Sequence, residues 1–238
     1  MHTHSTKNIS NEEIAKFNQS EGDWWDLEGS FKPLHDINPV RLDFIMQKVN
    51  LRGLNVLDVG CGGGLVTEGL AKRYAHVTGL DMAEHAINIA RQHALLANLP
   101  INYTHQSVES LAHEAPATFD VVTCLEMLEH VPDPASIIQA CSDLVKPEGD
   151  VFFSTLNKTF MARALGIFAA ENILKLMPRG THDYNKFMQP SELAQYCEMA
   201  GLTIKSIVGI EYNPFMRIAR LSKNVAINYL VHAKKITP

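Results

Sequence analysis

Hydrophobic and polar positions along this chain follow two periods, and the two periods alternate. Five short apolar runs rich in Val, Leu, Ile and Phe are typical of buried strands, and they lie within 55–59, 76–82, 101–106, 119–131 and 150–157. Helical periodicity fills 65–74, 83–97 and 135–145 between them. Strands that alternate with helices in this way predict a parallel sheet with helices on its faces.

The C-terminal part departs from this alternation. A helix is predicted over 191–199, ending at Gly201, and two strand-like runs follow at 202–213 and 225–234. Two such runs in succession favour antiparallel pairing. We therefore predict an α/β fold with a doubly wound, mostly parallel seven-stranded sheet whose last two strands form an antiparallel hairpin at the edge.

Two stretches lie outside the basic pattern of a single domain over 1–238. In the first, 1–50, a capping box of Ser10 and Glu13 predicts a helix, and the aromatic segment 24–42 that follows is either a packed cover or a substrate wall. The second, 158–189, contains an apolar helical run over 159–178. It is a core helix, a lid over an oily substrate or a segment that lies in a membrane interface.

The segment that most clearly predicts a ligand-binding site is the strand, glycine loop and start of a helix at 55–65. Gly60 and Gly62 allow positive φ and a close approach of a ligand to the backbone, and the following helix aims its free N–H groups at the loop. A dinucleotide fingerprint needs a small residue at position 65, where Leu65 stands. Asp58 would repel a pyrophosphate and attract an ammonium or sulfonium group, so the loop favours a cationic cofactor.

Further candidate positions follow at the ends of the later strands. Asp81 ends the second strand, seventeen residues after Gly64, where a carboxylate can accept hydrogen bonds from both hydroxyls of a ribose. Ser107 and Val108 follow the third strand, and Ser107 is either part of an adenine site or a helix cap. Residues 125–130 follow the fourth strand, close to the point where strand order reverses and ligands bind.

Composition narrows the classes of partner. A net charge of −5 and a pI near 6.1 give no basic footprint for nucleic acid. Four cysteines without metal-ligand or paired spacing predict reduced thiols, and the first ten residues lack the features of a signal peptide. With no run of ~18 apolar residues, we expect a protein of the cytoplasm.

The motifs resemble one family over about residues 13–235. The pattern of 56–64 resembles motif I of class I S-adenosylmethionine-dependent methyltransferases. The wider set resembles the bacterial ubiquinone-biosynthesis O-methyltransferases, and it consists of WWDLEGSFKPLH, INP-x-R, LDVGCGGG, GLDM, LEMLEHVPDP, FFSTLN and GTHDYNKF. The resemblance implies a Rossmann-like class I methyltransferase fold, S-adenosylmethionine as methyl donor and O-methylation of polyprenylated phenols at two steps.

The same resemblance implies cofactor contacts at Arg41, Gly60, Asp81 and Leu125, where Met is expected in close relatives. Arg41 either binds the carboxylate of the methionine end or forms a surface salt bridge. Neighbouring motif positions complete the candidate cofactor-binding set, which is Arg41, Asp58, Gly60, Gly62, Asp81, Met82, Ser107, Val108 and Leu125.

Methylation of a phenol benefits from a base, because a phenol with a pKa of about 10 is mostly protonated at neutral pH. His130 and His182 are the candidate bases, and each is equally well a structural histidine. The run Glu126, Glu129 and His130 either holds Mg²⁺ or Zn²⁺ beside the acceptor or caps a helix.

The expected partners are a polyprenyl phenol or quinol, an anionic membrane surface bound reversibly by 159–178, and other ubiquinone-biosynthesis enzymes, without nucleic acid. The expected location is therefore the cytoplasm with peripheral membrane association. Three alternatives remain at this point: a methyltransferase of another lipophilic small molecule, a non-catalytic S-adenosylmethionine-binding module, and an NAD-binding protein.

Overall fold

A computed structural model shows one mixed sheet covered by helices on both faces. The structure describes residues 8, 10, 13–15, 23–162 and 186–236. The sheet in this part of the chain has eight strands, which are β1 Asn55–Val59, β2 His76–Asp81, β3 Asn102–His105, β4 Phe119–Leu125, β5 Val145–Leu156, β6 Leu202–Asn213, β7 Ile218–Ser222 and β8 Asn228–Lys235.

The strand order is β3-β2-β1-β4-β5-β8-β6-β7. The first five strands in this order are parallel, and β8, β6 and β7 add to them in antiparallel pairs. Strand order reverses beside β1, so the carboxyl ends of β1 and β4 form the crevice where such sheets bind ligands. The predicted doubly wound, mostly parallel α/β fold is confirmed.

The predicted antiparallel pairing of the runs 202–213 and 225–234 is confirmed, but the predicted strand count and the edge position of the pair are wrong. Seven strands were expected, whereas the described residues form eight, because Ile218–Ser222 pairs with β6 as a separate strand. This run, Ile-Ala-Arg-Leu-Ser, is only five residues long and none of its residues is buried, so its apolar residues form no clear alternating pattern. The last strand, β8, also lies inside the sheet between β5 and β6 and is not at its edge.

Six α-helices are described: α1 Lys32–Met46, α2 Leu65–Ala71, α3 Glu84–Leu96, α4 Val108–Glu114, α5 Pro134–Leu144 and α6 Pro190–Met199. Helix α1 begins at Lys32, inside the aromatic segment 24–42, so the second half of that segment is helical. Pro33 lies in the first turn, where no N–H is needed, and Pro39 is tolerated inside a helix that buries Phe44 and Ile45.

Alternate residues of the central strands serve two separate cores. Leu57 and Phe153 point to the face covered by α5 and α6, whereas Val56 and Phe152 point to the face covered by α1 and α2. Both phenylalanines are fully buried, which contributes roughly 1.5–3 kcal/mol for each. This alternation decides which side chains can meet at the end of the sheet.

None of the helices in the described part of the chain has the length and hydropathy that a membrane span needs.

Candidate functional site

The glycine loop after β1 is closed on one side by an aromatic lining. Gly62 has a φ of +52°, and a Cβ added there would collide with the indole ring of Trp24. Gly60, with a φ of +70°, brings the loop against the Met127 side chain, whose Cγ would lie 2.9 Å from an added Cβ. The glycines are therefore needed for backbone conformation and for close packing with two other segments.

The N-terminal segment is fastened to this loop by both tryptophans. Trp24 is buried and stacks on Phe31 with a centroid distance of 3.9 Å. Trp25 donates from Nε1 to the Gly63 carbonyl at 3.0 Å and stacks on His93 at 3.4 Å. The part of the predicted cover that carries these tryptophans is thus a cover of the glycine loop.

Asp58 and Asp81 flank the loop with different roles in the structure. The buried Asp58 accepts from the Thr67 hydroxyl at 2.6 Å and from the Thr123 hydroxyl at 2.7 Å. Burial raises the pKa of Asp58 to about 6, and the two hydroxyl bonds oppose the rise. Asp58 therefore braces β1 against α2 and β4, and it acts on a ligand mainly through its field.

Asp81 is only half buried, and its two oxygens hold the loop. Oδ2 accepts from the Gly62 N–H and Oδ1 from the Ala83 N–H, both at 2.8 Å. Burial raises the pKa of Asp81, against the lowering effect of these backbone bonds. Each carboxylate oxygen retains a second lone pair, so the group can still accept from a ribose.

The remaining cofactor candidates occupy the positions that the strand ends dictate. Ser107 caps α4 by accepting a hydrogen bond from the Ser110 N–H at 3.2 Å. The side chain of Val108 is buried in the hydrophobic core. Met82 follows Asp81 directly and its carbonyl contacts His105. Leu125 is the last residue of β4 and is buried. Ser107 is therefore a helix cap, and any adenine contact at Val108 would come from its backbone.

Arg41 is a buried cation at the crevice, with only 3% of its surface exposed. Its Nη2 lies 2.9 Å from Glu126 Oε1. Its Nε has no hydrogen-bond partner among the described residues. A buried guanidinium with an unmet donor is costly unless a ligand completes it, so Arg41 is not a surface salt bridge. It fits the carboxylate of a methionine end.

Glu129 and His130 follow β4, and Glu129 lies on the opposite face of the sheet from Arg41. Glu129 is buried, accepts from the Thr155 hydroxyl at 2.7 Å through Oε2, and has no partner on Oε1 among the described residues. Burial, followed by the charge of Glu126, raises the pKa of Glu129 to about 7. His130 Nδ1 donates to Glu13 Oε2 at 3.0 Å, and Lys186 lies 3.3 Å from the other Glu13 oxygen. Burial alone would lower the pKa of His130, but the bond to Glu13 and the neighbouring acids raise it.

The predicted metal site at Glu126, Glu129 and His130 is not formed. No three His, Cys, Asp or Glu side chains in the described part of the chain converge on a possible cation position. The reason is the pleat of β5, where neighbours point to opposite faces. Ser154 holds Glu126 on the α1 face and Thr155 holds Glu129 on the α5 face, while His130 turns to Glu13. The three groups therefore do not fit one Mg²⁺ or Zn²⁺ ion in this arrangement. His182, the second candidate base, lies outside the described residues.

Comparison with known proteins identifies the chain. The methyltransferase domain family matches residues 35–207. The ubiquinone biosynthesis O-methyltransferase of Stutzerimonas stutzeri is 52% identical over 228 residues, which is 96% of this chain and 98% of that protein. The enzyme of the same name from Vibrio cholerae is 51% identical over 231 residues, 97% of this chain and 94% of the relative. The chain belongs to this family.

Solved structures agree with the family in fold. A magnesium protoporphyrin IX methyltransferase from Synechocystis with bound S-adenosylmethionine superposes with a TM-score of 0.65 at 18% identity, over 98% of this chain and all of that one. A possible histamine N-methyltransferase from Thermotoga maritima gives 0.69 at 14% identity, over 94% and 99%. Membership of the ubiquinone biosynthesis O-methyltransferases makes this chain an enzyme that uses S-adenosylmethionine.

These comparisons confirm the predicted fold, donor and enzyme class, and they set aside the NAD-binding and non-catalytic alternatives. The individual site contacts stay predictions. Several residues that support the ubiquinone biosynthesis O-methyltransferase site were not foreseen, and they are Glu13, Thr67, Thr123, Ser154 and Thr155. Only Thr67 had a sequence signal, since it lies in the first turn of the helix that follows the glycine loop.

Proposed function

We propose that this enzyme methylates phenolic hydroxyls of polyprenylated ubiquinone precursors, converting 2-polyprenyl-6-hydroxyphenol to its methoxy product and demethylubiquinol to ubiquinol. The observation that carries the proposal is identity of 51–53% over at least 94% of the chain with ubiquinone biosynthesis O-methyltransferases. Three features near the ends of β1, β2 and β4 support the proposal: the buried cation Arg41, the carboxylate of Asp81 and the hydrogen-bonded pair of Glu13 and His130.

The residues that would hold the donor lie along the ends of β1, β2 and β4. Arg41 would bind the carboxylate at the methionine end of the donor, and Asp81 would accept hydrogen bonds from the ribose hydroxyls. The backbone of the loop at Gly60 and Gly62 would lie against the donor. Leu125 would pack against the adenosine. The bound donor supplies an electrophilic methyl group on a sulfonium sulfur. Much of the rate then comes from holding the acceptor oxygen in line with that methyl.

His130 is the proton acceptor that the geometry favours. A carboxylate can only accept, so Glu13 fixes the imidazole with its proton on Nδ1 and leaves the basic lone pair of the neutral ring on Nε2. An oriented histidine with a pKa raised by its neighbours is suited to take a phenolic proton near neutral pH. His130 would take up the phenolic proton and would leave the acceptor as a phenolate, the form able to receive the methyl group from a bound donor.

The proposed acceptor is tested by mass spectrometry of products formed with labelled methyl donor. Short-tailed 2-polyprenyl-6-hydroxyphenol and demethylubiquinol are expected to gain one methyl each, whereas a fatty acid and a sterol are not. Efficient methylation of the fatty acid or sterol, with none of either phenol, would contradict the proposal and favour another lipophilic acceptor.

The second part of the proposal is reversible binding to an anionic membrane surface through 159–178. Phe160 and Met161, where the chain enters this segment, are 81% and 51% exposed. The apolar run continues in sequence with more cations than acids, counting Arg163, Lys175 and Arg179 against Glu171. Passing a membrane-bound intermediate would also favour contact with other enzymes of the same pathway.

Liposome co-sedimentation tests this binding. It is expected to increase with anionic lipid and to be lost when Phe160, Leu165 and Phe168 become polar. The matched control replaces Phe215, which is 84% exposed in the β6–β7 turn, with a polar residue. Binding that ignores lipid charge and the triple substitution would reject this part of the proposal.

A further inference from the structure

Glu126 has an unusual backbone and a fixed side chain. It is the first residue after β4, and its φ of +54° is one that residues with a side chain rarely adopt. Its N–H donates to the Ser154 carbonyl and to the Ser154 hydroxyl oxygen, each at 3.0 Å. The Ser154 hydroxyl in turn donates to Glu126 Oε1 at 2.7 Å. One residue of β5 thus fixes both the backbone and the carboxylate of Glu126.

The same carboxylate oxygen faces Arg41. Glu126 Oε1 lies 2.9 Å from Arg41 Nη2, and the Arg41 side chain is almost fully buried. Neither Arg41 Nε nor Arg41 Nη2 has a hydrogen-bond partner among the described residues, so the contact with Glu126 is a close ion pair that leaves the N–H groups of both nitrogens available. An arginine has several rotatable bonds, so a buried contact at one end of the guanidinium fixes where its other donors point. The arrangement leaves a donor available to a second carboxylate.

We infer that Glu126, held by Ser154, is a positioning residue that aims Arg41 at the carboxylate of the methionine end of S-adenosylmethionine. The inference rests on the donor site of the proposed function and assigns Glu126 a task other than metal binding. An amino-acid end carries a positive and a negative charge, so a site that presents a guanidinium beside a carboxylate matches both. The left-handed backbone of Glu126 is then explained, because it turns the side chain back toward α1.

Two ligands separate this role from a general structural one. S-adenosylhomocysteine has the amino-acid end, whereas 5′-methylthioadenosine has the same adenosine and thioether sulfur without it. Each variant is titrated with both ligands by calorimetry. The affinity for S-adenosylhomocysteine divided by the affinity for 5′-methylthioadenosine is the affinity ratio, and it reports on the amino-acid end alone. A variant that merely loosens the fold weakens both ligands and leaves the ratio unchanged.

The expected results differ between variants. Glu126→Gln should weaken S-adenosylhomocysteine binding about tenfold, the loss of one charge-assisted contact, with the affinity for 5′-methylthioadenosine unchanged. Ser154→Ala should reduce the ratio by a smaller factor, and Arg41→Met by a larger one. The matched control is Asp81→Asn, which faces the ribose common to both ligands and should weaken them equally.

The inference is overturned if Glu126→Gln changes both affinities by the same factor or changes neither. Should that variant unfold, Glu126→Asp keeps the charge and shortens the reach, and an unchanged ratio in a folded Glu126→Asp would also count against it. These titrations need no acceptor. A wild-type enzyme that binds S-adenosylhomocysteine but methylates no phenol would therefore refute the proposed function without touching this inference.

Discussion

Two buried acids at neighbouring strand ends are treated differently by the fold. Asp58, on β1, has both carboxylate oxygens bonded to threonine hydroxyls. Glu129, after β4, has one oxygen bonded to Thr155 and the other without a partner among the described residues. A buried carboxylate with hydrogen bonds to both oxygens holds its neighbours rigidly. A buried carboxylate with one unbonded oxygen can still accept a hydrogen bond from another group. On the side of the glycine loop, which we propose holds the donor, the protein therefore satisfies its buried acid, whereas on the side of His130, the proposed acceptor side, it does not.

The largest expected effect follows from a substitution in the glycine loop after β1. Gly62→Ala should destabilise the protein by about 2–4 kcal/mol, because the added Cβ strains a left-handed backbone and collides with Trp24. Urea unfolding measures the loss. Gly53→Ala is the matched control, since Gly53 also has a positive φ, +75°, but no atom within 4 Å of an added Cβ. Equal losses in the two variants would mean that the contact with Trp24 contributes nothing.

Asp81→Ala should weaken S-adenosylmethionine binding by about 1.5–3 kcal/mol, the range for hydrogen bonds to a charged group, and leave the protein folded. Part of the loss is expected to come from the loop, because Asp81 also accepts from the Gly62 N–H. Calorimetry measures the affinity, and circular dichroism checks the fold. An unchanged affinity would remove Asp81 from the donor site.

The buried acid with one unbonded oxygen gives a pH signature. Burial holds the pKa of Glu129 at about 7, above its ordinary 4.5, so the folded state keeps a proton that the unfolded chain has lost. Stability from this group is therefore lost as pH rises from about 4.5 to 7, by on the order of 2 kcal/mol. Glu129→Gln should flatten that decline in urea unfolding. Exposed Glu198→Gln is the control, and an equal decline in the Glu129 variant and wild type would contradict the assignment.

The smallest expected effect concerns the histidine beside Glu129. Because Glu13 helps to raise the pKa of His130, their pairing stabilises the fold at low pH and is lost as pH rises through that raised pKa. Glu13→Gln should therefore cost about 1 kcal/mol more near pH 6 than near pH 9, because above the raised pKa of His130 only the contact of Glu13 with Lys186 keeps its charge. It should also move the acidic limb of the rate profile to lower pH. A cost that does not vary with pH would show that the pair is not charged.

How far each side could be read from the sequence follows from the distances along the chain. On the donor side two of the pairs are close in sequence, nine residues apart for Thr67 and Asp58 and 19 for Gly62 and Asp81, whereas Thr123 bonds to Asp58 across 65 residues. A motif can carry the two short-range contacts. On the acceptor side His130 meets Glu13 across 117 residues, and no local pattern predicts that pairing.

The predictions that the structure corrects have separate physical causes. Glu126 and Glu129 look like one ligand set in sequence, but the alternation of Ser154 and Thr155 on β5 separates them. Strand β7 is short and has no buried residue, so it leaves no period-two pattern strong enough to detect. Helix α1 contains two prolines, Pro33 and Pro39, and these obscure its helical periodicity in the sequence.

The aromatic cover of the glycine loop also gives the protein an internal optical probe. The chain has two tryptophans, Trp24 and Trp25, and both contact the loop at Gly62 and Gly63. Tryptophan emission therefore reports on this loop and on no other region. Trp25 lies flat against His93, so its emission should respond to movement of that ring, whereas the emission of the buried Trp24 should respond to displacement of the cover. Donor binding can be followed in the unlabelled enzyme by its intrinsic fluorescence, and a Trp25→Phe variant assigns the signal to Trp24 alone.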